Sequence, residues 1–104
     1  FGSSITVYAA GASGNATPTA TIAGGNTGLN FPNGVALDGA GNIYVVNEFS
    51  GSAGGPGTIT VYAAGASGNV TPTATIAGGN TGLSIANGIA VDGAGNIYVT
   101  SGNS

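Results

Sequence analysis

Short runs of β-branched and aromatic residues recur along the chain, separated by clusters of Gly, Asn, Ser and Pro. Four such runs fall in the first half: Ile5–Ala9, Thr17–Ile22, Gly34–Asp38 and Asn42–Val46. Runs of this length and composition, bounded by turn residues, predict strands. No window carries a 3.6-residue period, and Gly falls too often for helices. In the fourth run Ile43 and Val45 alternate with Tyr44 and Val46, so both faces are apolar. Val35 and Leu37 share one face of the third run and Ala36 takes the other. Strands apolar on both faces are expected to be covered on both. The second run differs: Thr17, Thr19 and Thr21 line one side, and Pro18 cannot donate to a ladder, which predicts an edge strand. Between the third and fourth runs, Asp38-Gly39-Ala40-Gly41-Asn42 reads as a tight hairpin connection.

The whole pattern then repeats. Ile5–Val46 and Ile59–Thr100 align without gaps at an offset of 54, identical at 35 of 42 positions. Three of the differences are adjacent, Asn30-Phe31-Pro32 against Ser84-Ile85-Ala86. The segment Asn47–Thr58 reads as a Gly/Ser-rich loop. Joined end to end, the two termini give a shorter version of that spacer, as if two units had been cut from, or closed into, a longer array. The fold class predicted is all-β, built from four-stranded antiparallel sheets. Buried middle strands and a Pro-bearing edge fit a β-propeller blade, whose sheet packs between neighbours.

Asn33-Gly34-Val35-Ala36-Leu37-Asp38 followed by Gly41-Asn42-Ile43-Tyr44-Val45 resembles the NHL-repeat signature. So does Asn87-Gly88-Ile89-Ala90-Val91-Asp92 with Gly95-Asn96-Ile97-Tyr98-Val99, and Ile59-Thr60-Val61-Tyr62 fits the third strand of that family's blade. The family includes relatives of the virginiamycin B lyase-like and SMP-30-like kinds, usually six-bladed. The resemblance implies that Val35–Asp38 is an inner strand and Thr17–Ile22 an outer edge. The chain would then hold two blade equivalents, permuted as outer half, full blade, inner half. Residues 1–54 would supply an outer half-blade, a loop, the inner strands of the next blade and a spacer. Residues 55–104 would complete that blade and begin another. Two blades do not close a ring, and repeat arrays generally need three or more units. The expectation is head-to-tail self-association into a ring or filament, or a longer array of which this is an excerpt.

Composition narrows the chemistry. The 104 residues include 22 Gly but no Lys, Arg, His, Cys, Met or Trp, and Asp38, Glu48 and Asp92 are the only charged side chains. An apolar fraction of 41% with a net charge of −3 argues for a packed chain rather than a disordered one. Without cations there is nothing to neutralise phosphates, so nucleic-acid binding is excluded, as is attraction to an anionic membrane. No apolar run approaches the ~20 residues of a membrane-spanning helix. Starting at Phe1 rather than Met, the chain is expected to be a processed product or an excerpt. NHL repeats usually carry Arg and other charged rim residues, so ligand modes that need them do not transfer.

Candidate sites are few. Asp38 and Asp92 could form a calcium-binding ring, but one Asp per blade is thin for six to eight oxygens, and a turn-stabilising role is favoured. Glu48 lacks a partner for acid–base work. With no His, Lys or Cys, nothing activates a Ser or Thr, so no catalytic residue, cofactor or metal site is assigned. Asn15-Ala16-Thr17 and Asn69-Val70-Thr71 are glycosylation sequons. Tyr8, Tyr44, Tyr62 and Tyr98 are expected to pack in the core or between blades rather than stack on sugars. A possible ligand loop comprises Leu29, Asn30, Phe31 and Asn33 with Leu83, Ser84, Ile85 and Asn87, although Phe31 and Ile85 could equally be plugs between blades. The expected function is that of a non-enzymatic extracellular scaffold partnered by itself. The alternatives are a lectin or adhesin for neutral glycans and, more remotely, a lyase or lactonase fragment.

Overall fold

A computed structural model describes residues 3–48 and 57–102. Eight strands appear: β1 Ser4–Val7, β2 Ala20–Ala23, β3 Pro32–Leu37, β4 Ile43–Asn47, β5 Thr58–Tyr62, β6 Ala74–Ile76, β7 Ala86–Val91 and β8 Ile97–Ser101. They form three antiparallel sheets: the hairpin β1-β2, the four-stranded sheet β3-β4-β5-β6, and the hairpin β7-β8. This is the predicted all-β arrangement, a four-stranded blade-like sheet flanked in sequence by a two-stranded hairpin on either side.

Local chemistry sets the strand boundaries. The Asp38–Asn42 connection closes as expected: Gly41 sits at φ 88°, and the Asp38 carboxylate accepts the Ala40 and Asn42 amides at 3.0 Å each. The second copy repeats it, with Gly95 at φ 90° and Asp92 accepting from Ala94 and Asn96. The second run begins at Ala20 rather than Thr17. Pro18 lies before the strand, and the Thr19 amide and hydroxyl both donate to the Val7 carbonyl, a clasp that precedes the regular ladder. The first run ends at Val7, leaving Tyr8 and Ala9 outside it. The expected loop Asn47–Thr58 is shorter than read, because Asn47 ends β4 and Thr58 begins β5; the rest of it lies mainly outside the described residues. Register shifts in β3 between Pro32 and Gly34, and in β7 between Ala86 and Gly88, mark matching bulges. Gly34 answers a packing need there, since a Cβ would come within 2.8 Å of the Val46 side chain.

The central sheet is apolar on both faces, and two small cores result. On its first face Ile43, Val45 and Tyr62 cluster with Ile22 from β2, flanked by Ile5, Leu29 and Val70. On its second face Val46 and Ile59 meet Ala86 from β7, flanked by Ile76, Leu83, Ile89 and Val99. Each buried aliphatic side chain contributes about 1.5–3 kcal/mol. That is modest beside an ordering cost of about 1–2 kcal/mol per residue, so each terminal hairpin is held mainly by one narrow seam. Coverage of β3 is incomplete, contrary to expectation: Val35 is 50% and Leu37 60% exposed. Their counterparts in β7, Ile89 and Val91, are half-buried, because β7 packs beside β3 and β4, whereas among the described residues no strand packs comparably on the first face of β3.

Candidate interface at the blade seams

The seam on the first face of the central sheet is built around Tyr62. Residues on this face alternate along β4 and β5, so Ile43, Val45 and Asn47 stand opposite Tyr62, Thr60 and Thr58. The Tyr62 ring is fully buried among Ile22, Ile43 and Val45. Its hydroxyl donates to the Thr27 carbonyl at 2.6 Å and shares a bond of 2.8 Å with the Thr60 hydroxyl. A phenol has one proton to give, so the Thr60 hydroxyl supplies the second bond. Thr60 in turn accepts from the Asn47 amide at 3.0 Å, and the Asn47 side-chain carbonyl accepts the Asn30 amide at 3.0 Å. Every buried side-chain polar atom among the described residues is satisfied. Burial raises the Tyr62 pKa above the ordinary phenol value.

Main-chain bonds stitch the same seam. The Ala23 amide donates to the Gly68 carbonyl at 3.1 Å, and the Gly68 amide donates to the Thr21 carbonyl at 2.7 Å. The Asn69 side chain accepts the Asn26 amide at 2.8 Å and lies where a Cβ on Gly24 would fall. The second sequon asparagine is therefore engaged across the seam. Its counterpart Asn15 lies in the N-terminal unit, beside β1 and β2.

The remaining candidate residues separate by environment. Leu29 and Leu83 are half-buried and pack onto the two cores. Phe31 and Ile85 are exposed in the chain, at 58% and 42%, rather than plugging a seam. Phe31 adopts φ 52°, the only non-Gly residue with positive φ among those described, and borders a cleft of about 390 Å³ with Ser3, Gly24, Leu29 and Asn30. Asn33 and Asn87 sit at the bulges, and Asn87 accepts the Thr100 hydroxyl at 2.9 Å. The Ser84 amide lies 3.5 Å from the Ser101 hydroxyl. Thr17 and Thr71 lie outside the strands and are exposed.

Asp38 and Asp92 each serve their turn. The Asp38 carboxylate also accepts from the Asn42 side chain at 3.0 Å and the Tyr44 hydroxyl at 2.9 Å, and Asp92 does the same with Asn96 and Tyr98. These bonds, the Asn42 and Asn96 side chains foremost, hold both carboxyls below the usual Asp value. Tyr44 rises in consequence, chiefly through its bond to Asp38. Among the described residues no three His, Cys, Asp or Glu gather as a metal site. No helix there is long and apolar enough to cross a membrane.

The tyrosines divide in a way the sequence did not disclose. Tyr8 and Tyr62 are equivalent at the 54-residue offset, yet Tyr8 is 51% exposed and Tyr62 fully buried. Tyr98 is exposed too, contrary to the expectation of packing, because among the described residues β8 carries no further strand and its second face is uncovered. Among the described residues each terminal hairpin thus presents an open edge: β1 on the side where β5 meets β4, and β8 on the side where β4 meets β5.

Residues 74–101 match the model of a beta-propeller repeat, SBBP, a span that runs from the start of β6 to the end of β8. No curated protein matches the chain.

Proposed function

We propose that the protein is a non-enzymatic, extracellular interaction scaffold that works by blade completion, its inner half-blade β7-β8 pairing with the outer half-blade β1-β2 of another copy of the repeat. The single observation that carries this reading is the pairing of β4 with β5. That ladder, Ile43 opposite Tyr62 through Asn47 opposite Thr58, joins within the chain the same two strand types left open at β8 and β1. Open ladder edges are ready templates for pairing. Apolar exposure agrees: Tyr8 just past β1, Val35 and Leu37 on β3, and Tyr98 on β8 are all exposed. The head-to-tail contact continues into a ring or a filament according to its rotation. The absence of Lys, Arg, His and Cys supports the non-enzymatic part of the reading.

Sedimentation velocity of the 104-residue chain over a hundredfold concentration range tests it. Species larger than one chain are expected, growing with concentration. A folded monomer at every concentration would refute blade completion.

A second reading has its own observation, the positive φ of exposed Phe31 at the mouth of the 390 Å³ cleft. Backbone strain at an exposed aromatic points to a binding role, and a flat apolar ring with Ser3 and Asn30 beside it suits a neutral sugar. Glycan-array binding that disappears in Phe31→Ala, with circular dichroism unchanged, supports it; no binding to any neutral glycan removes it.

A further inference from the structure

The socket that holds Tyr62 inside the chain has an open counterpart at the other end. A cleft of about 270 Å³ lies between Ile59 and Ile76 on one side and Ile97 and Val99 on the other, floored by Thr81 and Leu83. At the 54-residue offset these are Ile5, Ile22, Ile43, Val45, Thr27 and Leu29. Ile22, Ile43 and Val45 are buried with Tyr62, Ile5 and Leu29 pack against that cluster, and Thr27 supplies the carbonyl that accepts the phenol proton.

The floor is already shaped. The Thr81 hydroxyl donates to the Gly78 carbonyl at 2.8 Å and accepts the Leu83 amide at 3.2 Å, the distances found for Thr27 with Gly24 and Leu29. Glycines on the two floors report what stands above them. A Cβ on Gly28 would meet the Thr60 methyl at 3.3 Å and Pro72 at 3.9 Å, whereas a Cβ on Gly82 would meet nothing within 4 Å. The residues equivalent to Thr60 and Pro72 are Thr6 and Pro18, on the half-blade that also carries Tyr8.

We infer that this cleft is a socket for Tyr8 of a second copy of the chain. The ring enters between Ile76, Ile97 and Val99, and its hydroxyl donates to the Thr81 carbonyl. β1 of the incoming copy lies antiparallel along β8, with Tyr8 opposite Ile97 and Ser4 opposite Ser101, the register of β5 on β4. The inference rests on the blade-completion reading and names the side chain that anchors it. Buried tyrosines of this kind are among the residues that dominate interface energetics. One contact of the internal seam is not reproduced: Ser101 stands where Asn47 reaches the Thr60 hydroxyl.

Sedimentation of four chains tests the socket: the parent, Tyr8→Ala, Tyr8→Phe and Ser101→Trp. Tyr8 is half exposed in a single chain, so Tyr8→Ala keeps the parent's circular dichroism while weakening association about 30-fold or more. Tyr8→Phe keeps the ring, loses the hydroxyl, and weakens association about tenfold. Ser101→Trp crowds the socket and leaves Tyr8 intact, so it also dissociates. Mixed one to one, Tyr8→Ala and Ser101→Trp recover one sound junction per pair and sediment as a dimer. A parent that assembles while Tyr8→Ala assembles equally well overturns the socket and leaves blade completion standing. So does a mixture that stays monomeric. A monomeric parent removes the underlying reading itself.

Discussion

Replacing Tyr62 by Phe removes one oxygen from the most enclosed point of the chain. The ring stays, so no cavity of consequence opens. The Thr27 carbonyl, on a residue only 1% exposed, loses its donor, and the Thr60 hydroxyl loses the acceptor for its proton. A buried polar group left unpaired costs about 1–3 kcal/mol. Thr60 still accepts from Asn47, but its own proton and the Thr27 carbonyl both lose the phenol, and the loss amounts to about 2–3 kcal/mol. Domains of this size have about 5–15 kcal/mol in all, and each 1 kcal/mol moves the melting temperature by about 4–8 °C. Urea unfolding followed by far-ultraviolet circular dichroism, at fixed protein concentration because the proposed assembly would couple to stability, should therefore show an earlier midpoint with an unchanged slope. The pH dependence gives a second reading of the same group. The Tyr62 pKa is raised in the folded chain, so its stabilising contribution is whole below about pH 10, the unfolded value, and is lost as pH climbs through the folded one. The parent should lose stability in that alkaline window and Tyr62→Phe should lose less. A midpoint shift worth under about 0.5 kcal/mol, with the alkaline profile unaltered, would show that water reaches the hydroxyl and that the Thr27–Tyr62–Thr60–Asn47 chain does not hold the seam.

Acid titration should reveal the two turns: the Asp38 and Asp92 pKa values are depressed, so their contribution is present above about pH 4 and lost as pH falls through the folded values, and Asp38→Asn with Asp92→Asn should flatten that acid limb in thermal melts. Gly34→Ala sets a methyl against Val46 and should cost about 1–3 kcal/mol in urea unfolding. Gly24→Ala and Gly78→Ala share a strained positive φ, 127° and 122°, but only the first pushes into Asn69; the first should be the more destabilising by about 1 kcal/mol or more, and equal losses would deny the seam contact. Association should change little between low and high salt, because without Lys, Arg or His no ion pair between side chains can form at the junction, as sedimentation at two ionic strengths would reveal.

Much of the architecture was legible because its signals are local. The doubled β-branched runs, the Asp-Gly-Ala-Gly-Asn turn and the two-sided apolar pattern of Ile43–Val46 each predict their element, and the beta-propeller repeat match spans β6 to β8. Strand ends were less legible where side chains compete with the ladder: Thr19 bonds Val7 before β2 begins, and Asn47 stays in β4 because its amide group is wanted at Thr60. The fates of the tyrosines could not be read at all, since Tyr8 and Tyr62 share the same neighbours in sequence. What differs is which strands stand across from them, a property of topology rather than of local pattern. The seam role of Thr27 and Asn69 was missed for the same reason, although identity at the 54-residue offset hints that both belong to a contact used twice.

If copies join as proposed, the exchange of Asn47 for Ser101 grades the strength of otherwise like joints. Inside the chain the seam carries an amide clasp that the proposed joint between copies would lack, while the ring, floor and ladder would be the same at both. An assembly of the proposed kind would then part between molecules, under dilution or mechanical load, before any molecule unravels. Its pieces would retain folded ends able to rejoin, so that wear would be reversible and the length of the assembly would follow concentration.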